Sequence, residues 1–148
     1  MMNITLYELN HSEVATALEL TWKVFMEFEA PDYSQEGIDE FRRFLANHVK
    51  VEKLQFYGAF SREKMVGVLA MQQSHISLLF VEKEFHRQGI ARSLFQYMLS
   101  HTSGDSITVN SSPYALDVYR KLGFIATSAE QITNGIRYTP MIYVRTVR

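Results

Sequence analysis

Residues Ile76–Leu99 read ISLLFVEKEFHRQGIARSLFQYML, and the parsing of this stretch decides the fold. Ile76, Leu78, Leu79, Phe80 and Val81 form a short apolar run ended by the charged residues Glu82 to Glu84, the pattern of a strand in a sheet covered on both faces. Ile90, Ala91, Leu94, Phe95 and Met98 then recur at helical spacing, so an amphipathic helix begins near Gln88 or Gly89. The reading is strand, short turn, helix.

Such a junction is an anion site. The first N–H groups of a helix lack internal partners and lie at the positive end of its dipole. Gly89 lets backbone approach a ligand without an intervening Cβ, and the small Ala91 leaves the next turn uncrowded. Arg87 and Arg92 flank the turn with guanidinium groups suited to phosphate oxygens. A plain helix start with a routine glycine would read the same over so few residues.

The segment Val81–Ala91, VEKEFHRQGIA, resembles the pyrophosphate-binding segment of the GNAT superfamily of N-acetyltransferases, in which Arg or Gln, two residues, Gly, one residue and Gly or Ala follow one another. Gly89 and Ala91 match the small positions, Phe80 and Val81 match the aromatic-then-valine strand ending, and His86 departs from the usual Arg or Gln. Downstream, Asn110–Phe124, NSSPYALDVYRKLGF, is similar to the family's next strand end, its helix with a catalytic-type tyrosine, and its Gly-Phe. The two motifs stand in the family's order, one strand apart. The resemblance covers essentially the whole chain and is least diagnostic in the first half. It implies one acetyltransferase domain over residues 1–148, of α/β class, with a mixed, mostly antiparallel sheet of about six or seven strands and four helices on both faces.

Composition agrees. A chain of 148 residues, 47% hydrophobic, suits one core. A net charge of −1 argues against a broad electrostatic surface for nucleic acid. The lack of cysteine removes disulfides, thiolate metal sites and a cysteine acyl-enzyme, and suits a reducing cytoplasm. The start, MMNITLYELN, has neither a basic leader nor an apolar core, and no run reaches the roughly 20 apolar residues needed to span a bilayer, so a cytoplasmic protein with no membrane partner is expected. His11, His48, His75, His86 and His101 are scattered without ligand spacing, and no metal is expected.

Outward from the central stretch, Ile4 to Leu9 reads as a first strand, and Val14, Ala17, Leu18, Thr21, Trp22, Phe25 and Phe28 as one stripe of a helix from about Glu13 to Glu29. APDYS, residues 30–34, breaks it. Ile38, Phe41, Leu45 and Val49 mark a second helix. Gln55–Phe60 and Met65–Gln72 predict a hairpin leading into the central strand. Beyond the central helix, Ser106–Asn110 is a β-branched strand, and Ser112-Pro113 is a helix entry with Gly123 as its C-cap. Phe124–Thr133 and Ile136–Val144 flank Asn134-Gly135, a type I′ hairpin signal. Pro140 predicts a bulge or an edge.

The resemblance assigns roles. It implies acetyl-CoA as co-substrate, its pyrophosphate held by the turn Arg87, Gln88, Gly89, Ile90, Ala91 and Arg92. It implies a splay between two parallel strands that frees backbone of Leu79, Phe80 and Val81 for the pantetheine arm, with Asn110 beside it. Tyr119 matches the tyrosine that protonates the departing thiolate; helix periodicity alone would leave it a packed core residue. His75, at the start of the central strand, is a candidate base because imidazole titrates in the useful range, although a histidine there also reads as a surface residue. Glu29, Asp32 and Tyr33 fall in the loop that commonly lines the acceptor pocket. Glu29, Asp32 and Glu130 are also weaker candidate bases. The implied acceptor is a primary amine of a small molecule or peptide, and a homodimer through the last strands follows by analogy. The alternatives are an acyl-CoA-binding regulatory or sensor domain without catalysis, and a Rossmann-like binder. The second lacks its Gly-x-Gly-x-x-Gly loop.

Overall fold

A computed structural model describes residues 3–145; Met1 and Met2 of the amino-terminal segment read above lie outside that range. The elements run β1 (Ile4–Glu8), α1 (Val14–Phe28), α2 (Gln35–Ala46), α3 (His48–Glu52), β2 (Gln55–Ser61), β3 (Lys64–Gln72), β4 (His75–Val81), α4 (Ile90–Ser100), β5 (Ser106–Ser111), α5 (Leu116–Leu122), β6 (Ile125–Ala126), β7 (Gln131–Thr133) and β8 (Ile136–Val144). The sheet is eight-stranded in the order β1-β2-β3-β4-β5-β8-β6, with β7 also on β8. Among the described residues only the β4–β5 pairing is parallel. The mixed, mostly antiparallel sheet is as expected, with eight strands rather than six or seven.

Among the described residues there are five α-helices rather than four, because the second expected helix breaks at Asn47. That residue leaves helical geometry (φ −88°, ψ 99°), and its side chain accepts from the Lys50 N–H, capping α3. The sheet separates two cores. Leu20, Val24, Phe25 and Val51 pack on one face with Phe56, Val68 and Phe80. Leu94, Phe95 and Met98 pack on the other with Leu69, Ile107, Tyr119 and Phe124. Among the described residues, no helix is long and apolar enough to cross a membrane.

Three further departures have local causes. The helix expected from Ser112 begins only at Leu116, because the Ser112 hydroxyl and carbonyl both accept from Ala115 N–H and hold residues 112–115 as a turn. The strand expected over Phe124–Thr133 splits into β6 and β7. Pro140 explains the split. Its carbonyl accepts from Thr127 N–H at 2.9 Å, so its missing N–H faces the same side, and the β6 ladder stops at Ala126 opposite Met141. On the other side β5 pairs continuously past it, Asn110 opposite Pro140. The proline sits in neither a bulge nor an outer strand, but in the gap between β6 and β7.

Asn134 (φ 52°) and Gly135 (φ 81°) form the expected hairpin turn. Its tip docks on the first turn of α2, where a Cβ on Gly37 would run into the Gly135 carbonyl. Alanine there would gain ~1 kcal/mol of helix propensity, yet the neighbour is backbone and cannot rotate away. Gly37→Ala is therefore expected to destabilise by ~1–3 kcal/mol, roughly 2–10 °C in melting temperature. A calorimetric scan that showed a rise would mean the hairpin does not rest on α2.

Candidate active site

Pairing between β4 and β5 is confined to His75–Thr108 and Ile76–Val109. From Ser77 onward the two parallel strands diverge, and the β5-facing side of β4 opens onto a cleft. Along β4, buried Ile76, Leu78 and Phe80 alternate with half-buried Ser77, Leu79 and Val81, and residues of both sets line the opening.

At the far end of β4 the chain turns into α4. Arg87 (φ 63°) and Gly89 (φ 81°) both take left-handed backbone, and a Cβ at Gly89 would meet nothing within 4 Å. The glycine thus serves the backbone angle and leaves open space above the helix start. The first intrahelical bond is Ser93 N–H to Gly89 C=O, so the amides from Gly89 to Arg92 are the ones left over. Ile90 offers only backbone, its side chain being 2% exposed in the core. Arg92 Nη2 is already engaged by the Lys121 carbonyl at 2.8 Å, and Gln88 Nε2 by the Glu84 carbonyl at 3.0 Å. His86 does not present itself to solvent as an arginine would: Nε2 lies 2.7 Å from the Val81 carbonyl, and the ring packs on Phe28.

Two cavities open from the cleft. One, of about 450 Å³, is lined by Leu79, Phe80, Val81, Arg87, Gly89, Ile90, Ala91 and Arg92 from the expected set, together with Phe28, His86, Tyr114 and Lys121. Gln88 and Asn110 do not line it. The other, of about 290 Å³, is lined by Glu29, Tyr33, His75, Asn110 and Tyr119, with an aromatic wall from Phe25, Phe41 and Phe44. The two share Glu29, Leu79, Phe80, Ala115 and Tyr119. Asp32 is exposed and lines neither, and Glu130 is paired with Arg137 at 3.0 Å.

Electrostatics distinguish the shared groups. Desolvation pushes the Glu29 carboxyl up to about 7, opposed by the Ser112 hydroxyl and reinforced by Asp32. Burial, and then the Glu29 charge, hold the Tyr119 phenol above its ordinary range. Burial keeps His75 below its usual value, and its Nδ1 is 2.8 Å from the Thr108 hydroxyl. Among the described residues, no three His, Asp or Glu side chains come together to hold a metal ion.

Sequence reasoning weighted His75 above Glu29, and it did not single out Lys121, Tyr114 or Glu40. The signal for Lys121 was available: it follows Tyr119 by two residues near the C-terminal end of α5, which the Arg92 contact draws to the mouth. Nothing local marks Glu40 as facing a cavity.

A family model described as "Acetyltransferase (GNAT) domain" matches residues 29–145. A curated relative, the peptidyl-lysine N-acetyltransferase YjaB of Salmonella typhimurium, is 23% identical, covering 66% of this chain and 76% of its own. Among solved structures, a GCN5-related N-acetyltransferase from Rhodopseudomonas palustris superposes with a TM-score of 0.83 at 18% identity, covering 98% of each chain. The PaiA N-acetyltransferase from Thermoplasma acidophilum, solved with coenzyme A, gives 0.75 at 17% identity over 97% of this chain and 100% of that one.

Proposed function

The chain belongs to the GNAT acetyltransferase family, and from that premise we propose that it moves an acetyl group directly from acetyl-CoA to a primary amine. The observation that carries this reading is the meeting of two cavities at Glu29 and Tyr119 beside the diverging strands. The larger cavity suits the co-substrate. Leftover amides at the start of α4, with Arg87, Arg92 and Lys121 around them, fit a pyrophosphate, and the unpaired edge of β4 fits the amide-bearing arm. When bound, acetyl-CoA supplies an acetyl group activated as a thioester and a thiol leaving group.

The chain's own residues then divide the proton work. An amine arrives as an ammonium ion with a pKa near 10.4, and an ordinary carboxylate at about 4.3 would face a gap of about 6 units, ~8 kcal/mol. Glu29 at about 7 narrows this to about 3 units, ~4 kcal/mol. His75, held below its usual range, faces a wider gap than Glu29. Glu29 is thus the proton acceptor in this reading, and His75 stands in the same cavity as a second, neutral acceptor. Tyr119, protonated across the physiological range, delivers its proton to the departing sulfur and is restored by the second proton that the nitrogen sheds as the amide forms. A backbone N–H between Leu79 and Val81 polarises the carbonyl.

Thermal denaturation with acetyl-CoA, CoA and NAD at matched concentration tests the reading. At about 100 times Kd a ligand stabilises by ~2.7 kcal/mol, roughly 5–10 °C here. Acetyl-CoA and CoA are expected to give that rise and NAD none. No rise with either coenzyme A form would sink the assignment. A rise without transfer to any amine would favour the sensor reading.

A further inference from the structure

The smaller cavity has one aromatic wall, and its lining carries carboxylates without a lysine or arginine. Phe25 and Phe41 stack at 4.1 Å between ring centroids, Tyr33 leans on Phe25 at 5.6 Å, and Phe44 and Phe80 continue from Phe41 at 6.5 and 6.0 Å. Tyr33, Phe41 and Phe44 remain only half-buried at this wall. Aromatic faces left at a cavity rather than packed away mark a binding surface for apolar or cationic groups. The ionisable groups that line it are Glu29, Glu40, His75 and the two phenols of Tyr33 and Tyr119, with no lysine or arginine among the described residues.

A cation whose charge reaches Tyr33 from outside the cavity, Arg137, is already engaged. Arg137 is clamped by Glu130 at 3.0 and 3.3 Å and by the Asp32 carbonyl at 3.2 Å, while its own carbonyl accepts from the Tyr33 hydroxyl. Glu40 is partly offset by Arg43 at 2.9 Å, which itself points to solvent. An acceptor bearing a carboxylate would meet carboxylates and no counter-charge. One bearing several ammonium groups would find, beyond Glu29, a single further carboxylate at the cavity, Glu40, and that one already paired with Arg43.

We infer that the acceptor is a small arylalkylamine: one primary amine on a short chain attached to an aromatic ring, with no carboxylate. The amine takes the Glu29 end, where the two cavities meet, and the ring lies against the half-buried Tyr33, Phe41 and Phe44. Size agrees, since a cavity of about 150 Å³ already holds benzene and this one is about 290 Å³. The inference rests on the acetyltransferase reading above.

The test pairs turnover with binding. Initial rates with acetyl-CoA are measured for phenethylamine, phenylalanine, spermidine and a lysine-containing peptide, and the melting temperature of the CoA-saturated protein is followed with each amine. Phenethylamine is expected to show at least a tenfold higher kcat/KM than the other three, and to raise the melting temperature further. Phe41→Leu should raise its KM about tenfold with a smaller change in kcat. Should Phe41→Leu fold poorly, Glu40→Gln serves instead, and is expected to narrow the gap between phenylalanine and phenethylamine. If phenylalanine, spermidine or the peptide is acetylated as well as phenethylamine, the acceptor class is wrong and the acetyltransferase reading survives. If phenethylamine is not turned over while CoA still stabilises the protein, the acceptor class is again overturned. If CoA fails to stabilise the protein and nothing is acetylated, both fall together.

Discussion

Tyr119→Phe is expected to lower kcat by ~10²–10⁴-fold, the range of a positioned proton donor, with CoA binding nearly unchanged. The substitution removes one oxygen from a side chain that is 5% exposed and packs edge-on against Phe124 at 5.4 Å. The ring and its packing stay, so the melting temperature should move little. If the role is proton delivery, the loss appears in kcat and kcat/KM together while CoA still shifts the melting curve. If Tyr119 merely packs, as helix periodicity alone allows, the phenylalanine variant turns over at close to the wild-type rate. Single-turnover rates beside CoA titration separate these outcomes.

Glu29→Gln is the second large effect, and it moves activity and stability in opposite directions. Wild-type kcat/KM should rise with pH and level off above about 7, where the Glu29 carboxyl has ionised. The glutamine variant has no such group and depends on amine already deprotonated in solution. Its kcat/KM should keep rising toward the amine's own pKa of about 10 and lie ~10²-fold or more below wild type near pH 8. For stability, the folded-state pKa is raised from 4.5 to about 7, so the folded protein holds this proton more tightly than the unfolded chain. That contribution is full below pH 4.5 and is lost as pH rises through 7. Glutamine escapes the loss, and the variant should be the more stable of the two at pH 8, by roughly 3 kcal/mol at most, and about equal near pH 4. A variant whose pH profile still levels off at 7 would transfer the role to another group, with His75→Ala the next to examine.

What could be read from the chain alone follows from how local each signal is. The strand-turn-helix of 76–99 rests on apolar spacing and a glycine at a left-handed turn, and both lie within a few residues of what they determine. The Asn134-Gly135 turn is of the same kind, needing positive φ at two adjacent residues. The helix break at Asn47 was equally local and could have been found, since an asparagine followed three residues on by a free N–H is a capping pattern. Pro140 was legible as a disturbance but not as to where it acts, because the side of β8 that its nitrogen faces depends on register with β5 and β6.

The site itself divides along the same line. The sequence by itself carried the strand-turn-helix junction with Gly89 at the helix start, the tyrosine on the following helix and the resemblance to the family the chain belongs to, while the divergence of β4 from β5 came only with that resemblance. Only the tertiary structure decided that Glu29 and Tyr119 line both cavities while His75 lines one, that Asp32 lines neither, and that the smaller cavity has an aromatic wall with no lysine or arginine in its described lining. Those properties depend on contacts such as Tyr33 and Asp32 with Arg137, 104 and 105 residues away. A helix turn is fixed by neighbours within about four residues. The pKa of a carboxyl and the walls of a cavity are fixed by whatever the fold brings beside them, and no window of sequence holds both partners.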